Sequence, residues 1–213
     1  MLTVHPYGCA SRADLGPLAT ILEAPHLEVF VLFNLLSTLL QAVAGLLGGV
    51  LLLRFWMQAI RVRPPYSLAP FLYESTDWLV KPLRRVMPGF AGYDWASLIG
   101  AIVVALLLGT ALAWFSGSLW FPMVAGFALA CLLQWIYYGM LGVILLGVLL
   151  SWVNPSAPMA PFIFALADPL LRPLRRIIPL IGNIDLSPMV ALILLNVLMP
   201  YLIEEVRRLP FLL

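Results

Sequence analysis

Charge is what this sequence has least of: 10% of its 213 residues are Asp, Glu, Lys or Arg, against 63% hydrophobic. Soluble domains carry about a quarter charged residues, so a water-exposed surface cannot be assembled from this inventory. Histidine is almost missing. His5 and His26 both precede the first long apolar run, which excludes a histidine-based triad or zinc set built with the later loops. Cys9 and Cys131 stand on either side of a long apolar segment and give neither a disulfide framework nor a CxxC motif. No phosphate-cradling glycine loop occurs. Asp, Glu, Lys and His are absent from the middle of every apolar run, where each would cost roughly 2.5–3.5 kcal/mol. That speaks against proton-coupled pumps and voltage sensors. These absences leave no metal, cofactor or catalytic centre to nominate, and nothing suited to nucleic acid. The expectation is a protein that is not an enzyme.

What is present is apolar length. Phe30–Ile60, Trp95–Trp120, Phe121–Ser151 and Leu186–Ile203 are each long enough for a membrane span, and residues 95–151 contain no charge at all. The first run exceeds the roughly 30 Å hydrocarbon core, so tilting or protrusion is expected. Residues 1–26 lack a basic segment leading into an apolar core, so they do not read as a cleavable signal peptide. A short, poorly ordered leader is expected there. Asn34, Ser37, Thr38 and Gln41 continue at helical spacing into Gly45 and Gly48, a stripe suited to helix packing or to a water-filled pathway. None of its members is charged, which favours packing. Ala101, Ala105, Gly109 and Ala113 form a second small-residue ridge. Gln134, Tyr137, Tyr138 and Asn196 read as interhelical hydrogen-bonding groups.

Between the spans lie two polar, proline-cut loops, 61–94 and 152–185. In the first, Phe71, Leu72, Trp78, Leu79 and Leu83 alternate at helical period with Glu74, Asp77, Lys81, Arg84 and Arg85. Such a helix lies in the membrane interface instead of crossing it, and Pro82 is expected to cut it into two pieces. Asp168-Pro169 has the form of a helix N-cap followed by proline at the first helical position.

The loops are copies. Pro82-Leu83-Arg84-Arg85, Pro88 and Asp94 recur 91 residues later as Pro173-Leu174-Arg175-Arg176, Pro179 and Asp185. The same gapless shift pairs Asp77 with Asp168 and maps residues 30–60 onto 121–151. This register marks an internal repeat. It divides the chain into a non-cytoplasmic leader (1–26), repeat 1 (27–118), repeat 2 (119–205) and a tail (206–213). Each repeat is span, basic loop, span, so the copies share one orientation. The predicted fold is an all-α integral membrane protein of four transmembrane helices in two parallel tandem repeats, each with a short amphipathic interfacial helix in its loop. Nine of the twelve Lys and Arg residues lie at or within the loops, which places both loops in the cytoplasm and both termini opposite.

Pro173-Leu174-Arg175-Arg176-Ile177-Ile178-Pro179 through Gly182-Asn183-Ile184-Asp185-Leu186-Ser187-Pro188, with Ser151-Trp152-Val153, resembles the YggT (YlmG) family of integral membrane proteins. The likeness covers about residues 30–203 in two copies. In the first copy Trp95-Ala96-Ser97 replaces Leu-Ser-Pro and Arg61 replaces the Trp. The resemblance implies a bacterial inner-membrane organiser, since bacterial members are associated with osmotic tolerance and with cell division or envelope organisation. Plastid relatives are associated with thylakoid complex assembly, including haem attachment to cytochromes.

Lys81, Arg84, Arg85, Arg172, Arg175 and Arg176 are the candidates for holding lipid or a partner. Guanidinium forks match phosphate and carboxylate, and anchoring on anionic headgroups is worth about 1 kcal/mol per basic residue. Asp94, Asp168 and Asp185 read as structural residues and helix caps, with a possible tie from Asp185 to Arg175 or Arg176. Expected partners are an anionic bilayer and other membrane proteins or further copies of the chain. A scaffold or assembly factor is the leading reading, and a small channel formed by an oligomer is the alternative.

Overall fold

The structure, a computed structural model, describes residues 16–86, 93–115, 117, 119–178 and 185–209. Pro88, Pro179, Gly182–Ile184, the first fifteen residues and the last four fall outside them. Six helices follow in order: α1 (Gly16–Ala59), α2 (Ala69–Val86), α3 (Trp95–Phe115), α4 (Phe121–Val153), α5 (Ala160–Arg175) and α6 (Ser187–Arg208). Four of them, over Phe30–Ala59, Trp95–Phe115, Phe121–Val153 and Ser187–Arg208, are long and apolar enough to cross a bilayer. Helices α2 and α5 are the amphipathic pieces within the two loops.

Three details differ from the sequence reading. Helix α1 starts at Gly16, inside the stretch expected to be a leader. Helix α2 runs through Pro82 without a break, and α5 runs through both Pro169 and Pro173. All three prolines lie on exposed faces, where water or headgroups can serve the carbonyl each one deprives of a donor. The buried stripe Leu72–Thr76–Val80, with Leu83 beside it, keeps α2 seated across the proline. The third correction concerns Asp168: it sits inside α5, which begins at Ala160 with proline in its first turn, so it is not an N-cap.

Residues 16–40 form a unit by themselves. There Asn34 Nδ2 donates to the Phe30 carbonyl (2.8 Å) and Thr38 Oγ1 to the Asn34 carbonyl (2.7 Å). These polar groups are satisfied on their own helix.

The rest of the chain, from Gln41 onward, is organised on α4. Gly45 and Gly48 of α1 lie against the Trp135 ring, while Val50 and Met57 share a cluster with Val143 and Leu150. Rising numbers on α1 meet rising numbers on α4, so this part of α1 and α4 run in the same direction. Helix α3 runs the other way: Gly109 meets Val124 and Ala128, whereas Ala101 shares a cluster with Trp135. Helix α6 is likewise antiparallel to α4, with Ala191 beside Ile144, Asn196 beside Tyr137 and Ile203 beside Ala130. Both polar loops therefore emerge at one end of the bundle, as parallel repeats require. There Ser67 approaches Met159 (Oγ to Sδ, 3.8 Å), and Trp56 Nε1 donates to the Leu166 carbonyl (3.3 Å).

The ridge read from the sequence packs as expected. Ala101, Ala105 and Ala113 are fully buried, and a Cβ at Gly109 would lie 2.8 Å from the Val124 carbonyl oxygen, a backbone atom that cannot yield without moving the helix. Gly117 (φ 74°) takes the left-handed turn between α3 and α4. Tyr137 donates to Asn196 Oδ1 (2.9 Å) and Arg207 Nη2 to Gln134 Oε1 (3.3 Å), tying α6 to α4. Tyr138 instead lies exposed beside Tyr137.

Candidate functional site

The repeated charges assemble into one ion cluster per loop, at the end of the bundle where α2 and α5 lie. In repeat 1, Arg54 projects from the last turns of α1 and is 5% exposed. Its Nη1 donates to Thr76 Oγ1 and to Asp77 Oδ1, each at 2.8 Å, and its guanidinium sits 4.9 Å from the Tyr73 ring centre. Its Nε lies 3.3 Å from Asp94 Oδ2 but has no hydrogen-bond partner of good geometry among the described residues. Arg84 approaches the same aspartate with a fork, Nε to Oδ1 (3.3 Å) and Nη2 to Oδ2 (2.7 Å), and Ser97 Oγ donates to Oδ2 (2.7 Å). Lys81 covers the outer oxygen of Asp77 (3.1 Å). Two carboxylates are thus bridged by one buried arginine that arrives from a different helix.

Repeat 2 builds the same bridge from its own loop. Arg175 donates from Nε to Asp185 Oδ2 (2.8 Å) and from Nη1 to Asp168 Oδ1 (3.3 Å), while Arg172 holds Asp168 Oδ2 (2.6 Å). The expected tie between Asp185 and Arg175 is present. At the position 91 residues after Arg54 stands Leu145, and after Thr76 stands Ala167. The second cluster accordingly lies open, with every member between about a third and two thirds exposed.

Three of these aspartates, Asp77, Asp94 and Asp185, are held ionised. Hydrogen bonding from Arg54 is the main reason that the Asp77 carboxyl lies below its ordinary value. Burial pushes Asp94 upward, but the hydrogen bonds from Arg84 and Ser97 and the charge of both arginines outweigh it and bring it down. Asp185 follows the same pattern, with burial opposed by hydrogen bonds from Ser187 and by Arg175. Its Oδ1 accepts the Ser187 backbone N–H (2.9 Å), so it does serve the start of α6. The Asp94 carboxylate differs from the expected cap: its main-chain carbonyl closes the first turn of α3, while its side chain faces the arginines.

Four of the six basic candidates, Lys81, Arg84, Arg172 and Arg175, are spent on internal ion pairs. Arg85 and Arg176 are exposed and make no ion pair among the described residues. The residue that sequence reasoning missed is Arg54. Its signal was available: an arginine inside an otherwise apolar helix, matched by leucine in the other copy. No group of three His, Cys, Asp or Glu side chains placed to hold a metal occurs among the described residues.

Helix α1 ends beside this cluster in a Schellman turn. Arg61 N donates to the Gln58 carbonyl (3.1 Å) and Val62 N to the Met57 carbonyl (2.9 Å), with Arg61 at φ 59°. That left-handed position ordinarily takes glycine, and a side chain there costs about 1–2 kcal/mol.

Parallel two-span repeats with an ion-bridged amphipathic helix at each elbow define a tandem-repeat integral membrane protein. The CCB3/YggT family matches residues 33–115 and 126–205, one segment per repeat. The protein YggT of Escherichia coli K12, described as uncharacterized, is 36% identical over 166 residues, covering 78% of this chain and 87% of its own length. An uncharacterized protein of Pseudomonas aeruginosa is 34% identical over 168 residues (75% and 84%), and one of Haemophilus influenzae 32% over 163 residues (76% and 88%). No solved structure matches the chain. The chain belongs to the CCB3/YggT family.

Proposed function

We propose that the protein is a non-enzymatic membrane scaffold or assembly factor whose two amphipathic helices form a docking platform. The observation that carries this reading is the ion bridging of α2 and α5 at one end of the bundle. Each helix is fixed by arginine–aspartate pairs to the start of the next span, which keeps it lying in the interface. The outward face of α2 then presents Phe71 and Trp78 beside Arg85, and the turn after α5 presents Arg176 and Ile177, a mixture of aromatic, apolar and arginine surface typical of interfaces. The excess of Lys and Arg in the two loops supports a cytoplasmic face for this platform, and the family resemblance supports a bacterial inner membrane as its setting. Osmotic tolerance, cell division and membrane-complex assembly, the roles implied by the resemblance, are settings in which such a platform would act. The carboxylates of Asp77, Asp94 and Asp185, ionised and engaged by several donors, are poorly placed for acid–base catalysis.

A channel is the weaker reading. Asn34 and Thr38 are bonded to their own backbone, and the two glycines that extend the stripe are covered by Trp135.

A photo-crosslinking residue at Trp78 or Ile177, activated in native membranes, is expected to trap one discrete membrane protein from both positions. Adducts with lipid alone at both positions would remove the scaffold reading. Solute flux through liposomes containing the purified protein would favour the channel instead.

A further inference from the structure

We propose that a basic notch at the end of α1, present only in repeat 1, binds a phosphate-bearing anion, either free or as a lipid headgroup. This goes beyond the scaffold reading and does not depend on it. The notch is a cavity of about 450 Å³ lined by Arg54, Arg61, Arg63 and Arg84 together with Tyr73 and Gln58. No acidic residue lines it among the described residues. Asp77 and Asp94, bonded to Arg54 and Arg84, cancel two of the four positive charges, and Arg61 and Arg63 make no ion pair among the described residues. Arginines from α1, from the segment after it and from α2 line one space, the arrangement that suits a tetrahedral oxyanion with several acceptor oxygens.

Two further observations indicate that the fold does not require Arg61 and Arg63. At the 91-residue shift Arg54, Arg61 and Arg63 become Leu145, Trp152 and Asn154, while Arg84 alone keeps its counterpart, Arg175. The repeat therefore forms without a basic notch. Arg61 is held at φ 59° in a turn that glycine would close with less strain, so its side chain is retained against local backbone preference.

The test uses full-length protein purified in phosphate-free dodecyl maltoside and titrated calorimetrically with inorganic phosphate and, separately, with dioctanoyl phosphatidylglycerol. Saturable binding of either probe, weakened at least about tenfold in Arg61→Gly/Arg63→Gln, is the expected result. Binding of inorganic phosphate identifies a free anion as the ligand; binding of the lipid alone identifies a headgroup. Because glycine suits the turn, the double variant should unfold at a temperature no lower than the parent, and Arg63→Gln alone serves as a second, milder probe. The proposal is overturned if neither probe saturates or if the double variant binds as well as the parent. It is equally overturned if Arg207→Gln/Arg208→Gln, which removes two charges at the far end of α6, weakens binding as much.

Discussion

Asp94→Ala is expected to lower the thermal unfolding midpoint in detergent by roughly 10 °C, whereas Asp185→Ala, its counterpart in repeat 2, should move it only slightly. The two aspartates occupy matched positions and each meets an arginine. Their surroundings differ. The Asp94 side chain is 2% exposed, and removing it leaves Arg54, whose side chain alone is 6% exposed, with a carboxylate on one side only. A buried charge deprived of a partner costs about 3–5 kcal/mol. Asp185 is 29% exposed and its partner Arg175 is 46% exposed, so water replaces much of what is lost and the cost stays under about 1 kcal/mol. The pH dependence has a definite sign. Asp94 is depressed in the folded state, so its contribution is present in full above the ordinary aspartate value of about 3.9 and is lost as pH falls through the lower folded value. The gap between parent and Asp94→Ala should therefore narrow on acidification below about pH 4. Equal effects of the two substitutions, or a gap that widens in acid, would count against the buried bridge.

The second large effect lies in the apolar contact between the repeats. A Cβ at Gly48 would run into Cε3 and Cζ3 of Trp135, a rigid ring that is 8% exposed and has nowhere to turn. Gly48→Ala should cost about 1–3 kcal/mol through overpacking. Trp135→Leu should cost at least as much by leaving a cavity. Together they relieve one another, because the methyl group enters space the indole has vacated. The double variant is expected to be more stable than the sum of the two singles by about 1–2 kcal/mol, measured by thermal or denaturant unfolding in one detergent. Strict additivity would mean that α1 and α4 do not approach at this point.

The fold was readable because its physics is repetitive. Uncharged runs of span length, small residues every fourth position and a gapless repeat each have one economical explanation in a bilayer, and Ala101–Gly109 and Trp135–Gly48 supply the contacts. Local rules misjudged Pro82 and Pro169. Proline statistics describe helices without tertiary support, whereas α2 and α5 are held by buried stripes such as Leu72–Val80. The candidate site was half readable. The repeated Arg and Asp positions were visible, but their partners were not, because Arg54 meets Asp77 and Asp94 across 23 and 40 residues of sequence. Its burial depends on how α1 lies against α2, which no local pattern encodes. Arg61 departs from the family pattern in sequence, and only the backbone shows that it stands in a glycine position.

Parallel repeats, with both ion-bridged elbows on one side of the membrane, are the claim from which the rest follows. In a Cys9→Ser/Cys131→Ser background, single substitutions Ser67→Cys, Ser156→Cys and Leu119→Cys place one thiol in each elbow and one in the turn between α3 and α4. Sealed right-side-out vesicles treated with an impermeant maleimide should label the thiol at position 119 and spare those at 67 and 156 until the membrane is opened. Labelling of position 67 from one side and position 156 from the other would contradict the parallel arrangement.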